Sequence, residues 1–247
     1  MRKASSFESR WMYRLERVVA LLQGKGFWRY PLGRETAAVA TLARPPVKVV
    51  VDVGANGGQW TASARSHFPN AHFHLFEPST ECMRRLLCAL GGDPAVTLNQ
   101  VALGRSEGTA TLFSDTSGSG LASLTRREID HLGVHMDLTE EVRVETLDHY
   151  ARSKGLTTID VLKIDVEGHE LDVLEGAAEI LRRTNVVEFE FGGTDIDTRT
   201  YFRDYWRLLH PVGFTIFRIS PVGLLPVTEY KEAAEDFAFT NYVAARL

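Results

Sequence analysis

The sequence predicts a doubly wound α/β sheet, mostly parallel with an antiparallel edge, behind an N-terminal helical segment. Three observations carry this. Apolar, β-branched runs at 47–53, 71–78 and 159–168 alternate with stretches of helical periodicity. The run "IDVLKIDVEG" is continuous rather than alternating, the pattern of a strand covered on both faces. The last two strand-like stretches, "GFTIFRIS" and "AFTNYVAARL", read as an antiparallel closing pair.

The elements follow in order. Residues 7–23 read as an amphipathic helix, because Trp11, Leu15, Val18, Val19 and Leu22 recur at steps of three and four. Gly24 and Gly26 end it. "ARPPVK" (43–48) turns into the strand 47–53. A helix at 59–67 ends before Pro69, and the strand 71–78 closes at Pro78. A helix at 80–90 stops at Gly91-Gly92, and "VTLNQVALG" (96–104) is a third strand with its exit. Residues 108–115 and 140–147 alternate as a half-exposed antiparallel pair outside the main run. "SDTSGSGLASLTRRE" (114–128) is small, polar and broken by glycine, either a surface loop or a substrate lid. After 159–168 come a helix at 169–183, a strand at 185–193 and a helix at 198–210 stopped by Pro211.

With 247 residues and 44% hydrophobic content, the chain can bury a full core, and no Ser/Gly/Pro-rich linker divides it. We expect residues 1–46 as a helical extension and 47–247 as one domain. The formal net charge of −4 argues against a general nucleic-acid binder. The charge is uneven. Residues 1–35 carry eight Lys/Arg against three Asp/Glu, and the remainder twenty against twenty-nine. Cys82 and Cys88 sit on different faces of a predicted helix, which disfavours a disulfide or a metal pair and suits a cytoplasmic setting. No segment approaches the ~18 apolar residues of a membrane span.

The chemistry begins at "VVVDVGANGGQW" (49–60), where a hard apolar strand runs into an acid and then a turn with three glycines. Such a turn lets a ligand approach the backbone at a helix N-terminus, although glycine also serves plain tight turns. Glu77 ends the next strand, 23 residues after Gly54, where a carboxylate accepts the two hydroxyls of a ribose. That spacing suits both NAD and S-adenosylmethionine. The order Gly54-Ala55-Asn56-Gly57-Gly58 does not match G-x-G-x-x-G, and Asp52 before it would repel a pyrophosphate. The same carboxylate suits the cationic amino and sulfonium groups of S-adenosylmethionine. An NAD-dependent oxidoreductase and a non-catalytic nucleoside-binding module are the rival readings.

Taken together, "VVVDVGANGGQWT", "HLFEPS", "NQVALG", "VETLDHY" and "IDVLKIDVEGHELDVLEGA" resemble the FkbM-type methyltransferases over about 49–192. The resemblance implies the class I (Rossmann-like) methyltransferase fold and S-adenosylmethionine-dependent O-methylation of sugar or natural-product hydroxyls. It implies that Asp52, Gly54, Asn56 and Gly57 hold the methionine part and Glu77 the ribose. Gln100, Val101 and Ala102 would border the adenine.

"KIDVEGHE" (163–170) lies at the catalytic rim of the fourth strand and offers Asp165, Glu167 and His169 as catalytic candidates. Methyl transfer to a hydroxyl needs a base, and either His169 or Asp165 fits that role. A divalent metal such as Mg2+ on Asp165, Glu167 and Glu190 is another route to an acidic hydroxyl. Glu167-Gly168-His169 also suits a plain helix start. "FGGTDIDTRT" (191–200) is expected as a flexible exit near the acceptor. Tyr201, Phe202, Tyr205 and Trp206 read as helix core. The expected partner is a small-molecule or glycolipid acceptor, with no nucleic acid. The basic N-terminal helix either packs over the sheet, closing the site or pairing with a second subunit, or rests on an anionic membrane.

Overall fold

The computed structural model describes residues 6–26 and 32–247; residues 1–5 and 27–31 of the predicted extension lie outside the described residues. In chain order the helices are α1 (Ser6–Leu22), α2 (Leu32–Leu42), α3 (Gln59–Ala64), α4 (Thr80–Leu90), α5 (Leu147–Lys154), α6 (Glu170–Glu175), α7 (Thr194–Thr198) and α8 (Phe202–Leu209). The strands are β1 (Val49–Val53), β2 (His72–Phe76), β3 (Val96–Asn99), β4 (Ala102–Leu103), β5 (Gly108–Ser114) and β6 (Leu138–Glu145). They continue as β7 (Ile159–Ile164), β8 (Thr184–Phe191), β9 (Thr215–Ser220), β10 (Gly223–Val227) and β11 (Thr240–Ala245).

Eight strands form the main sheet in the order β10-β9-β11-β8-β7-β1-β2-β3. The five from β8 to β3 are parallel to one another. The chain order reverses at β1, where β2 lies on one side and β7 on the other, and ligands of such sheets bind beyond the strand ends at that point. The continuous apolar runs are explained by burial on both faces. Val50, Val161 and Val186 pack against Val39 of α2 and Trp60 of α3. Val51, Leu162 and Val187 face Tyr150, Val173 and Tyr205 of α5, α6 and α8.

The closing strands β9 and β11 pair antiparallel as predicted, but β11 also inserts between β8 and β9. The outer edge is β10, which sequence patterning missed because Pro226 interrupts it; an edge strand tolerates a missing N–H. The stretch 96–104 is two strands rather than one. The Val101 N–H bonds back to the Asn99 carbonyl, and the chain turns out of the main sheet into a three-stranded sheet, β4-β6-β5.

The predicted helix at 169–183 breaks after Glu175. The Asp148 N–H takes the Gly176 carbonyl, and the Asp148 carboxylate accepts the N–H groups of Glu179 and Ile180. Helix α5 was not predicted, and α2 was covered only by the expectation of a helical extension over 1–46. The cysteines are unpaired, Cys82 buried and Cys88 exposed.

Candidate active site

The loops after β1, β2, β3, β5 and β7 meet in a cleft of about 580 Å3 of empty space, part of it open to solvent. Gly54 and Asn56 form one wall, and Glu77 stands at the end of β2. Val101 and Ala102 supply apolar surface with Leu112 and Leu124. Asp165, Glu167 and His169 line the opposite side. Gly54, Asn56, Glu77, Val101, Ala102, Asp165, Glu167 and His169 of the sequence-predicted set therefore share one cavity.

Glu77 is buried and held on both oxygens, by the Asn56 N–H at 2.8 Å and the Ser79 N–H at 2.9 Å. Burial pushes its pKa up, opposed by these two backbone donors. Asn56 at φ 48° and Glu167 at φ 56° occupy left-handed backbone at the two loop tips facing the cleft. Such strain persists only where surrounding contacts over-determine it.

Asp52 is corrected by the structure. Its side chain points to the α3 face of the sheet, fully buried, and does not line the cleft. Thr61 Oγ1 donates to it at 2.6 Å, and Lys163 Nζ stands 3.1 Å away. Lys163 is its register partner on β7, and Glu188 on β8 is the next in the row. Lys163 Nζ also donates to the Gly54 carbonyl at 2.9 Å, holding the glycine loop from beneath. Burial pulls the Lys163 pKa down, but Asp52, Asp165 and Glu188 outweigh it and hold it above the usual lysine range. Asp165, 48% exposed and 3.7 Å from Lys163 Nζ, does line the cleft.

Gln100 is corrected too. The bend at Asn99 swings it outward, where its Nε2 donates to Thr80 Oγ1 at 3.0 Å. Gly57 faces the end of Gln59 rather than the cavity.

The predicted metal set is not assembled. Among the described residues, no three His, Cys, Asp or Glu side chains stand together as a metal site. Protein donors already hold Glu167 and its neighbour Glu170. Glu167 receives Arg127 at 2.9 Å, and Glu170 receives the N–H groups of Val166 and Gly168. Burial and the Asp165 charge push Glu167 up to about 8, against the pull of Arg127. Glu190 lies at the end of β8, where burial and then Asp165 raise its pKa well above the ordinary value. The 191–200 segment is packed rather than loose. Asp195 is fully buried, accepting from the Gly192 N–H at 2.8 Å and the Tyr205 hydroxyl at 2.9 Å.

Three further residues join the site that sequence reasoning did not single out. Asp172 Oδ2 lies 2.7 Å from His169 Nδ1, Thr125 Oγ1 lies 3.0 Å from His169 Nε2, and Arg127 pairs with Glu167. The spacing of His169 and Asp172 on one helix turn was visible in the sequence. Thr125 and Arg127 sit on the 114–128 loop, whose polar composition carries no such signal. That loop runs over the cleft, with Ser119, Gly120, Ala122 and Leu124 in its wall and Ser123 Oγ donating to the Glu167 carbonyl.

Comparison with known proteins gives the same direction. The chain matches the family model described as "Methyltransferase FkbM domain" over residues 52–216. The 2-O-methyltransferase NoeI of Sinorhizobium fredii is 27% identical over 168 residues, 64% of this chain and 69% of that protein. Methyltransferase sdnD of Sordaria araneosa is 29% identical over 161 residues, 55% of this chain and 62% of that protein. The crystal structure of methyltransferase FkbM from Methylobacillus flagellatus KT superposes with a TM-score of 0.49 at 14% identity, covering 95% of this chain and 60% of that one.

Proposed function

Since the chain belongs to the FkbM methyltransferase family, we propose that it is an S-adenosylmethionine-dependent O-methyltransferase acting on a hydroxyl of a sugar or of a glycosylated lipid or natural product. When bound, S-adenosylmethionine supplies a methyl group on a sulfonium cation. The residues present fit it. Glu77 offers the remaining lone pairs of its carboxylate to ribose hydroxyls, the Gly54 turn admits the backbone-hugging methionine part, and Val101, Leu112 and Leu124 receive the base. Asp165 takes the charge-matching role first expected of Asp52.

The observation that carries the hydroxyl reading is the chain Asp172–His169–Thr125. A carboxylate only accepts, so Asp172 fixes the proton on His169 Nδ1 and leaves the Nε2 lone pair toward the cleft side. Thr125 O–H fills that lone pair in the structure. An acceptor hydroxyl taking the place of Thr125 meets a base already oriented, and its proton passes to Nε2.

Calorimetry with S-adenosylhomocysteine and with NAD tests the cofactor, and release of S-adenosylhomocysteine in the presence of glycoside acceptors tests the reaction. NAD binding without S-adenosylhomocysteine binding would overturn the proposal. Glu77→Ala is expected to weaken S-adenosylhomocysteine binding by about 1.5–3 kcal/mol, the worth of hydrogen bonds to a charged group. Unchanged affinity in the folded variant removes Glu77 from the ribose site. His169→Ala is expected to lower turnover by about 10²-fold while leaving S-adenosylhomocysteine affinity intact. Full turnover in that variant would return His169 to a helix-start role.

A further inference from the structure

We propose that Arg127 is a positioning residue: acting through Glu167, it seats the β5–β6 loop on the exit of β7 and so keeps Thr125 on His169 Nε2. The inference rests on the reading of His169 as the base.

Residues 115–137 join β5 to β6, far more than the roughly two to five residues of an ordinary hairpin loop. Within them Ser123, Thr125 and Arg127 stand at alternate positions, the spacing that turns side chains to one side of extended backbone. All three reach the same short stretch, 167–169. Ser123 Oγ donates to the Glu167 carbonyl at 2.7 Å, Thr125 Oγ1 lies 3.0 Å from His169 Nε2, and Arg127 Nη1 donates to Glu167 Oε2 at 2.9 Å.

Glu167 is where the loop acts. At φ 56° it is left-handed, which a glutamate keeps only when its surroundings hold it there. Here the loop holds it twice, by the carbonyl through Ser123 and by the carboxylate through Arg127. Gly168 follows at φ 100°, and His169 is then the N-cap of α6. The direction in which the chain enters α6 is therefore set at Glu167, and the His169 ring goes with it.

Of the two holds, the arginine is the stronger, because a hydrogen bond between ions outweighs one from a neutral hydroxyl. Its side chain is only 5% exposed, where a guanidinium needs a partner. Asp197 Oδ2 lies 3.6 Å from Arg127 Nε, an ion pair without a hydrogen bond, and the Phe239 ring centre lies 5.9 Å from the guanidinium carbon. Glu167 is the firm anchor; Asp197 and Phe239 fix the direction from which the arginine reaches it. Without the guanidinium, the Glu167 carboxylate faces Asp165 and Glu170 with Lys163 as its remaining cation among the described residues. Repulsion then turns Glu167 out of its left-handed conformation, the loop lifts, and Thr125 leaves the ring.

Long-range proton–nitrogen NMR of the full chain, isotope-labelled at histidine, tests this without cofactor or acceptor, at a pH above the ordinary histidine range. The His169 resonances are identified by their loss in His169→Ala. In the unsubstituted chain, Nε2 is expected to show the upfield displacement of an imine nitrogen that accepts a hydrogen bond. Thr125→Val and Arg127→Met are each expected to move it downfield, to the value of an unbonded nitrogen. Glu167→Asn is expected to do the same, since asparagine tolerates left-handed backbone while its shorter side chain withdraws the carboxylate from Arg127. A merely structural ion pair would change stability and leave the ring signature alone. An unmoved Nε2 resonance in any of the three folded variants overturns the proposal. Amide exchange in β1 and β7 reports the fold separately, and if Arg127→Met unfolds, Glu167→Asn decides. No step uses S-adenosylmethionine, so a failure to find methyl transfer strikes the proposed function and leaves this result standing.

Discussion

Replacing Lys163 by Met is expected to cost about 3–5 kcal/mol of folding stability, the range for breaking a buried ion pair from one side. The substitution keeps the unbranched stem, one atom shorter, and most of its packing. What it removes is the ammonium beside Asp52, which is fully buried and has no route to water. Glu188 loses the same positive neighbour, and its burial with Glu35 already raises the pKa of both acids. The Gly54 carbonyl loses its Lys163 donor as well, and the Val53 carbonyl keeps only the Asp165 N–H. Urea denaturation of the variant checks the magnitude, and a loss under about 1 kcal/mol would mean that water reaches Asp52. Adding Asp52→Asn should recover part of the loss, since a neutral amide is cheaper to bury than an unpaired carboxylate.

Gly54→Ala is expected to abolish measurable S-adenosylhomocysteine binding and to destabilise the fold by about 2–4 kcal/mol. At φ 73° a side chain is strained before any contact is counted. The added Cβ would also stand 1.8 Å from the Asp165 carbonyl oxygen, a backbone atom with no rotamer to yield. The loops after β1 and β7 would have to part, and they are the two walls of the cleft. Gly57→Ala is the matched control, because a Cβ there meets only the flexible end of Gln59. Its expected stability cost is under about 1 kcal/mol. Equal effects of the two substitutions would show that glycine is needed here for chain flexibility rather than for the approach of one loop to another.

That contrast marks where sequence reasoning ends. The glycine turn was visible as a motif, yet its glycines differ, and only the position of the β7 loop says why. The parallel strands were legible because 49–53 and 159–164 are dominated by β-branched and other apolar residues, and the acids that follow 72–76 and 159–164 announced the rim. Glu77, Asp165, Glu167 and His169, which line the cleft, were singled out that way. Asp52 was placed on the right strand and assigned the wrong neighbour. Strand periodicity gives a face, but the pairing of Asp52 with Lys163 depends on β1 and β7 being adjacent, which no local pattern encodes. Gln100 failed for a related reason, since a one-residue turn at Asn99 sends it away from the cleft. Helix α5 escaped notice at eight residues, although Thr146 caps it and Gly155 ends it in the left-handed conformation. Helix α2 carries small side chains whose apolar stripe is weak, and its worth appears only when Val39 and Thr36 meet the sheet and Ser63.

The hydrogen bond from Lys163 to the Val53 carbonyl joins residues 110 positions apart. Everything needed for the first wall of the cleft is therefore synthesised long before the strand that supplies the second. During that interval β1 has an open edge where β7 will lie, and its buried acid has no cation. Pairings this remote form slowly, because the closure entropy of the intervening chain is paid before any contact repays it. The nascent protein should therefore gain ligand affinity in one late step, when β7 docks, rather than by gradual refinement of a preformed half-site. The unpaired edge waiting for that step is where a chaperone would be expected to hold the chain.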